Sequence, residues 1–194
     1  MPRLKTASRL ILAAAAATLL PFTITAAQAT TTESLAWPES LQPIPNGSQV
    51  MVWESIPVGK GLIPCQAQAN ATVLVNGATT DRVSAEDAEW SECGSLVVTG
   101  GFTTVRLNVN ELAATAKPAI NVTEPTGCKY RVTQATGHRS AKRGAQRYAS
   151  YKATGEGTLI KGGTRCKHAI TVKFVQIAIA GPQSGGFGLV PWVG

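Results

Sequence analysis

The chain has 194 residues, 44% of them hydrophobic and 15% charged, with four cysteines and a formal net charge of +7. That length buries one sizeable core and is too short for two. No catalytic or cofactor motif stands out, so the sequence speaks to fold class, compartment and binding surfaces rather than to a reaction.

Residues 1–29 read as an export signal, because Arg3, Lys5 and Arg9 precede an apolar run that starts at Leu10 and ends at the small-x-small site Ala27-Gln28-Ala29. Pro21 interrupts the run, which is shorter than the roughly 20 apolar residues needed to span a bilayer. The expectation is a soluble, secreted product, extracellular or associated with the cell wall. Residues 30–48 contain Pro38, Pro43 and Pro45 with no sustained period and are expected to be an extended linker.

From Gln49 the signals are those of strands. Val50–Ile56 is the first, followed by Cys65–Val75, where Cys65, Ala67, Ala69, Ala71, Val73 and Val75 share one phase and Gln66, Gln68, Asn70 and Thr72 the other. Asn76-Gly77 ends that strand as a turn dipeptide. Further strands are expected at 95–99, 103–109, 119–123, 128–132, 148–153, 157–161 and 168–180. Two short helices are expected between them. One lies at 84–90, with Ser84 as cap and Asp87 three residues on; the other opens at Asn110 in the segment NELAATA. In the last long strand Ile170, Val172 and Phe174 hold one parity and Val175, Ile177 and Ile179 the other, which predicts a bulge near Phe174 or burial on both faces. The glycine-rich tail 182–194 carries Leu189, Val190, Trp192 and Val193, which must dock on the domain or stay exposed. The fold class is therefore all-β: an antiparallel sandwich or barrel with one or two short helices, in one domain spanning 49–181.

Four cysteines behind an export signal read as two disulfides, and Cys65–Cys93 with Cys128–Cys166 is the favoured pairing. Each half, 49–124 and 125–181, then holds one cysteine opening a strand and a second just before one, as in a diverged repeat. Zinc is disfavoured because no two cysteines lie at C-x-x-C spacing.

Charge is divided unevenly. Residues 30–124 hold four Lys/Arg against ten Asp/Glu, whereas 125–194 hold eleven Lys/Arg against Glu156 alone. Acid concentrates at Glu86, Asp87, Glu89 and Glu92, without the alternate spacing or glycine of a calcium loop. Base concentrates at Arg139, Lys142, Arg143, Arg147 and Lys152, interleaved with Tyr148 and Tyr151. These seven residues are the candidate contact for an anionic cell-wall polymer or polysaccharide. No nucleic-acid fold motif accompanies them. A solvated loop is the plainer alternative, and a third reading lets the acidic and basic segments meet, within the domain or between copies.

An enzyme finds little support. His138 lies in the basic stretch and His168 beside Cys166, and neither adjoins a nucleophile signature or forms a metal-ligand pair. No cofactor or metal is expected.

The framework PCQAQANATVLVNG, SAEDAEWSECGSLVVTGGF, INVTEPTGCKYRV and GEGTLIKGGTRCKHAITVKF resembles small secreted β-rich proteins of high-GC Gram-positive bacteria. It is loosely similar also to exported activators of alkane oxidation. The resemblance spans about Val50 to Ala180 and implies a secreted, non-catalytic β domain. Two alternatives remain. An interface-active protein for hydrophobic substrates would expose a patch such as Phe187 to Val193. A hydrolase would need a cleft holding a perturbed acid or a histidine.

Overall fold

The computed structural model describes residues 32–57, 64–140, 142–143 and 146–194, without the side chains of Lys142 and Arg143. The export signal expected at 1–29 lies outside them. Among the described residues there is no helix. There are fifteen strands: β1 (Ser34–Leu35), β2 (Gln49–Ile56), β3 (Cys65–Val75), β4 (Asp81–Ala85), β5 (Glu89–Ser91), β6 (Val97–Thr99), β7 (Thr104–Leu107), β8 (Glu111–Thr123), β9 (Lys129–Arg139), β10 (Lys142–Arg143), β11 (Gln146–Tyr148), β12 (Ser150–Lys161), β13 (Ala169–Gln183), β14 (Gly186–Leu189) and β15 (Pro191–Val193).

Eight of these strands close a ring. Antiparallel pairing runs β2-β3-β4-β7-β8-β9-β12-β13 and returns from β13 to β2, so the sheet has no open edge along the ring. This is an up-and-down barrel, which decides between the two expected architectures. β5 continues the line of β4 along β3, β6 pairs β8, and β14 adds to β13.

The alternation expected at Cys65–Val75 holds: the cysteine and alanines are buried, while Gln66, Gln68 and Asn70 are exposed. Apolar residues face inward and polar residues outward around the ring, the pattern of a barrel in water and the reverse of one in lipid. The interior is filled. Val52, Val73, Val83, Val105, Ile120, Val132, Ile177 and Ile179 have no exposed surface, and the Phe102 and Phe174 rings pack at 5.0 Å and 59°. Small residues opposite large ones make the fit: a Cβ on inward Gly155 would lie 2.7 Å from Val132, and one on Gly157 would lie 2.9 Å from Ile170.

The predicted bulge is present. Ala153 pairs Phe174 while Tyr151 pairs Ile177, so β13 holds one extra residue where its parity flips. Beyond it Ile177, Ala178, Ile179 and Ala180 are all buried, because the outer side of β13 there is covered as well.

Both expected helices are strand instead. Ser84 and Ala85 belong to β4, whose ladder to β7 outweighs the local capping signal, and Glu89–Ser91 form β5. In NELAATA, Leu112, Ala114 and Ala116 point inward at period two and join β8, since an alanine-rich segment follows its neighbours when both edges are paired.

The segment expected to be a linker takes part in the fold. β1 pairs β15, and β15 pairs β11, which pairs β10, giving a second, four-stranded sheet. Leu35, Ala36 and Ile44 are buried. Asn76 fastens this segment: its Oδ1 accepts from Leu35 N at 2.7 Å, and its Nδ2 donates to Leu35 O and Ile44 O, both at 2.8 Å. The Glu39 carboxylate also accepts a hydrogen bond from Ser184 N at the β13–β14 turn. The glycine-rich tail docks rather than dangling, with Val190 and Trp192 buried.

Both favoured disulfides, Cys65–Cys93 and Cys128–Cys166, are formed. Antiparallel order puts all four cysteines at the same end of the barrel, opposite to Asn76. Each crosslink contributes roughly 3–4 kcal/mol in the chain-entropy model.

Candidate functional site

β9 and β12 are neighbours in the ring, and their register brings together cations far apart in sequence, Lys129 and Lys161 among them. Outward parity places Lys129, Arg131, Thr136 and His138 on β9, and Lys152, Thr154, Thr158 and Lys161 on β12. Lys152 stands opposite His138, Thr154 opposite Thr136, Thr158 opposite Arg131, and Lys161 opposite Lys129. Lys173 on β13 faces Thr154 from the other side. The result is a stripe about 30 Å long at ~3.3 Å per residue, broken by one acid, Glu156. Past Lys161, exposed Arg165 and Lys167 stand at a cleft of about 590 Å³ that Thr126, Thr164, the Cys128–Cys166 bridge and one acid, Glu124, also line.

Like charges directly opposite each other on a sheet are destabilising. Lys129 and Lys161 are such a pair, with Arg131 next along the same face. Among the described residues the one ion pair within 4.0 Å joins Arg147 to Glu33, so no carboxylate is in direct contact with this group. An anion laid along the stripe relieves that repulsion, and Lys and Arg supply donors to its oxygens.

The residues expected to form the contact are dispersed. Lys152 is exposed on the stripe. Arg147 is held by Glu33 from the N-terminal segment. Arg139 closes β9, and its Nε and Nη1 are shut away without a hydrogen-bond partner among the described residues. Tyr148 is half-buried opposite Pro191. Lys142 and Arg143 form β10, and their side chains lie outside the described set. Tyr151 cannot stack on a ligand: it is fully buried in the barrel, and its hydroxyl donates to Asn108 O at 2.6 Å. Burial pushes its phenol well above the ordinary range. The expected loop is thus mostly strand, and its parity sends Tyr151 inward with Ala153.

The acidic segment sits on another wall. β4 and β5, which flank Glu86 and Asp87 and carry Glu89, are four positions from β12 in the eight-strand ring, hence across the barrel from it. The acidic and basic segments therefore do not meet within the chain.

Two perturbed carboxyls lie inside. Glu54 is 1% exposed; burial raises its pKa to about 7 against the opposing effect of Phe102 N, which donates to its Oε1 at 2.8 Å. Asp81, with no exposed surface, is raised to about 6 by burial and lowered by the amides of Ala78 and Gly77. Each carboxyl serves a backbone amide left over where the ladder is interrupted: Phe102 N between β6 and β7, and Ala78 N in the β3–β4 turn. Glu54 is among the residues that line a recess of about 200 Å³ between β2, β3 and β13.

The patch expected from Phe187 to Val193 is not contiguous at the surface, since only Phe187 is largely exposed and Val190 and Trp192 are buried. No group of three His, Cys, Asp or Glu able to hold a metal occurs among the described residues. No helix there is long and apolar enough to cross a membrane.

No family model matches the chain, and no curated protein or solved structure is significantly similar to it.

Proposed function

We propose that the protein is a secreted, non-catalytic binding module that holds an anionic polymer along the outer face of β9 and β12. The observation that supports this reading is the number of cations on one face, Lys129 opposite Lys161 with Arg131 beside them and Lys152 and Lys173 further along, whereas the β4–β7 wall has only the opposed pair Arg82 and Arg106. The rigidity of a closed, crosslinked barrel fits adhesion, and the two disulfides fit an oxidising compartment. The polymer class is a wall teichoic acid or an acidic polysaccharide. Threonines rather than aromatic rings separate the cations, so bases would find no stacking platform. Lys152 is shared with the contact expected from sequence; the rest of the site moves toward the disulfide end.

Retention on a heparin resin tests this. Arg131→Glu with Lys161→Glu should elute at distinctly lower salt than the wild type. Arg82→Glu with Arg106→Glu, the same change of net charge on the β4–β7 wall, should elute higher than that variant. Equal elution of the two double variants would reduce the stripe to a general charge effect and overturn the proposal.

A further inference from the structure

The wall formed by β13, β2 and β3 differs from the stripe in kind. The outward positions of its β2 and β3 are Gln49, Met51, Trp53 and Ser55, then Gln66, Gln68, Asn70 and Thr72, and none is charged; Lys173 of β13 lies outside the stretch that pairs with β2. Trp53 is half-buried between its cross-strand neighbours Gln68 and Ala178. Beside it is a recess of about 200 Å³ lined by Trp53, Ser55, Pro64, Gln66, Ala67, Gln68 and Gln176, with the buried Glu54 also at its wall. The indole Nε1 has no hydrogen-bond acceptor among the described residues and no solvent contact. The amides of Gln66 and Gln176 are partly engaged, by Glu92 and Ser150, through their Nε2 atoms. Gln68, exposed on β3, lines the same recess.

An indole beside planar amides suits one class of ligand. Each amide offers a donor and an acceptor side by side, which matches neighbouring hydroxyls on a sugar ring. The half-buried indole gives an apolar surface for the ring's C–H face, while its Nε1, closed to solvent, takes no part in the contact. A polyanion would find no cation here, and an apolar peptide would leave the amides unpaired. The recess is smaller than the roughly 300–1,000 Å³ of pockets for drug-sized ligands, so it takes a single ring. We propose that Trp53, with Ser55, Gln66, Gln68 and Gln176, forms a binding site for one neutral pyranose unit of a saccharide chain. This site stands independently of the cationic stripe.

The test titrates cellohexaose, maltohexaose and chitohexaose separately, at millimolar concentration, into isotopically labelled full chain. The Trp53 indole N–H signal is assigned through Trp53→Phe. At least one oligosaccharide should shift the Trp53 indole and Gln68 amide signals, and Gln68→Ala, an exposed position that leaves the core untouched, should weaken binding about fivefold. Arg131→Glu with Lys161→Glu should leave this binding unchanged, which separates the site from the stripe. No shift with any of the three sugars, or equal binding by Gln68→Ala, would overturn the proposal.

Discussion

Replacing Glu54 by glutamine should change how stability depends on pH. In the folded chain this carboxyl titrates at about 7 because burial disfavours its charge, against 4.5 for an ordinary glutamate. Between those values the folded protein keeps a proton that the unfolded chain has released. Stability therefore falls as pH rises through the window, by about 1.4 kcal/mol per unit. The effect is absent below pH 4.5 and complete above about 7, where ionised Glu54 costs roughly 3 kcal/mol. Glutamine keeps an oxygen for Phe102 N and has no charge to bury. Urea unfolding from pH 4 to 9 should show both proteins close together at the acid end and Glu54→Gln ahead by up to ~3 kcal/mol at the alkaline end. Asp81 adds a slope of the same sign between 3.8 and about 6 in both proteins, so their difference isolates Glu54. Parallel curves would show that the Glu54 carboxyl is hydrated in the folded state and would refute the account of the barrel interior.

Other parts of the structure give equally direct expectations. Asn76→Ala removes three hydrogen bonds to the N-terminal segment and should lower stability by about 2–3 kcal/mol, with earlier proteolytic cleavage in residues 32–48. Gly137→Ala would place a Cβ 2.2 Å from Lys152 O and 2.7 Å from the Ala153 Cα; the backbone there cannot yield cheaply, so thermal unfolding should show a loss of about 1–3 kcal/mol. Cys128→Ser with Cys166→Ser releases the segment that carries Arg165 and Lys167, and should cost about 2–5 kcal/mol in denaturant unfolding and weaken heparin retention. Cys65→Ser with Cys93→Ser should cost a similar amount without that loss of retention.

Much of the fold was legible because period-two alternation is a local signal. Cys65–Val75 reads as a half-buried strand, the parity change after Phe174 announces the bulge, and the cysteine positions suggest their pairing. The misreadings arise where a local signal competes with a partner far along the chain. Ser84 with Asp87 has the spacing of a helix cap, and NELAATA has helical composition, but both lie between strands that supply ladder hydrogen bonds. Prolines made 30–48 read as a linker, although Leu35, Ala36 and Ile44 are apolar and find a buried place at the barrel end. The inward turn of Tyr151 could have been read from its shared phase with Ala153, Gly155 and Gly157. The cationic stripe could not, because Lys129 and Lys161 become neighbours only through the register of β9 on β12. Sequence clustering favoured 138–152 for the same reason that it missed 129–131 and 161–167: proximity along the chain is a poor guide to proximity across a sheet.

The most direct measurement of the binding account maps backbone amide shifts of the wild-type protein during titration with heparin at physiological salt. The largest changes should fall on Lys129, Arg131, Thr158 and Lys161, extend to Arg165 and Lys167, and fade with added salt. Changes centred on β3 and β5, or no changes at all, would contradict it.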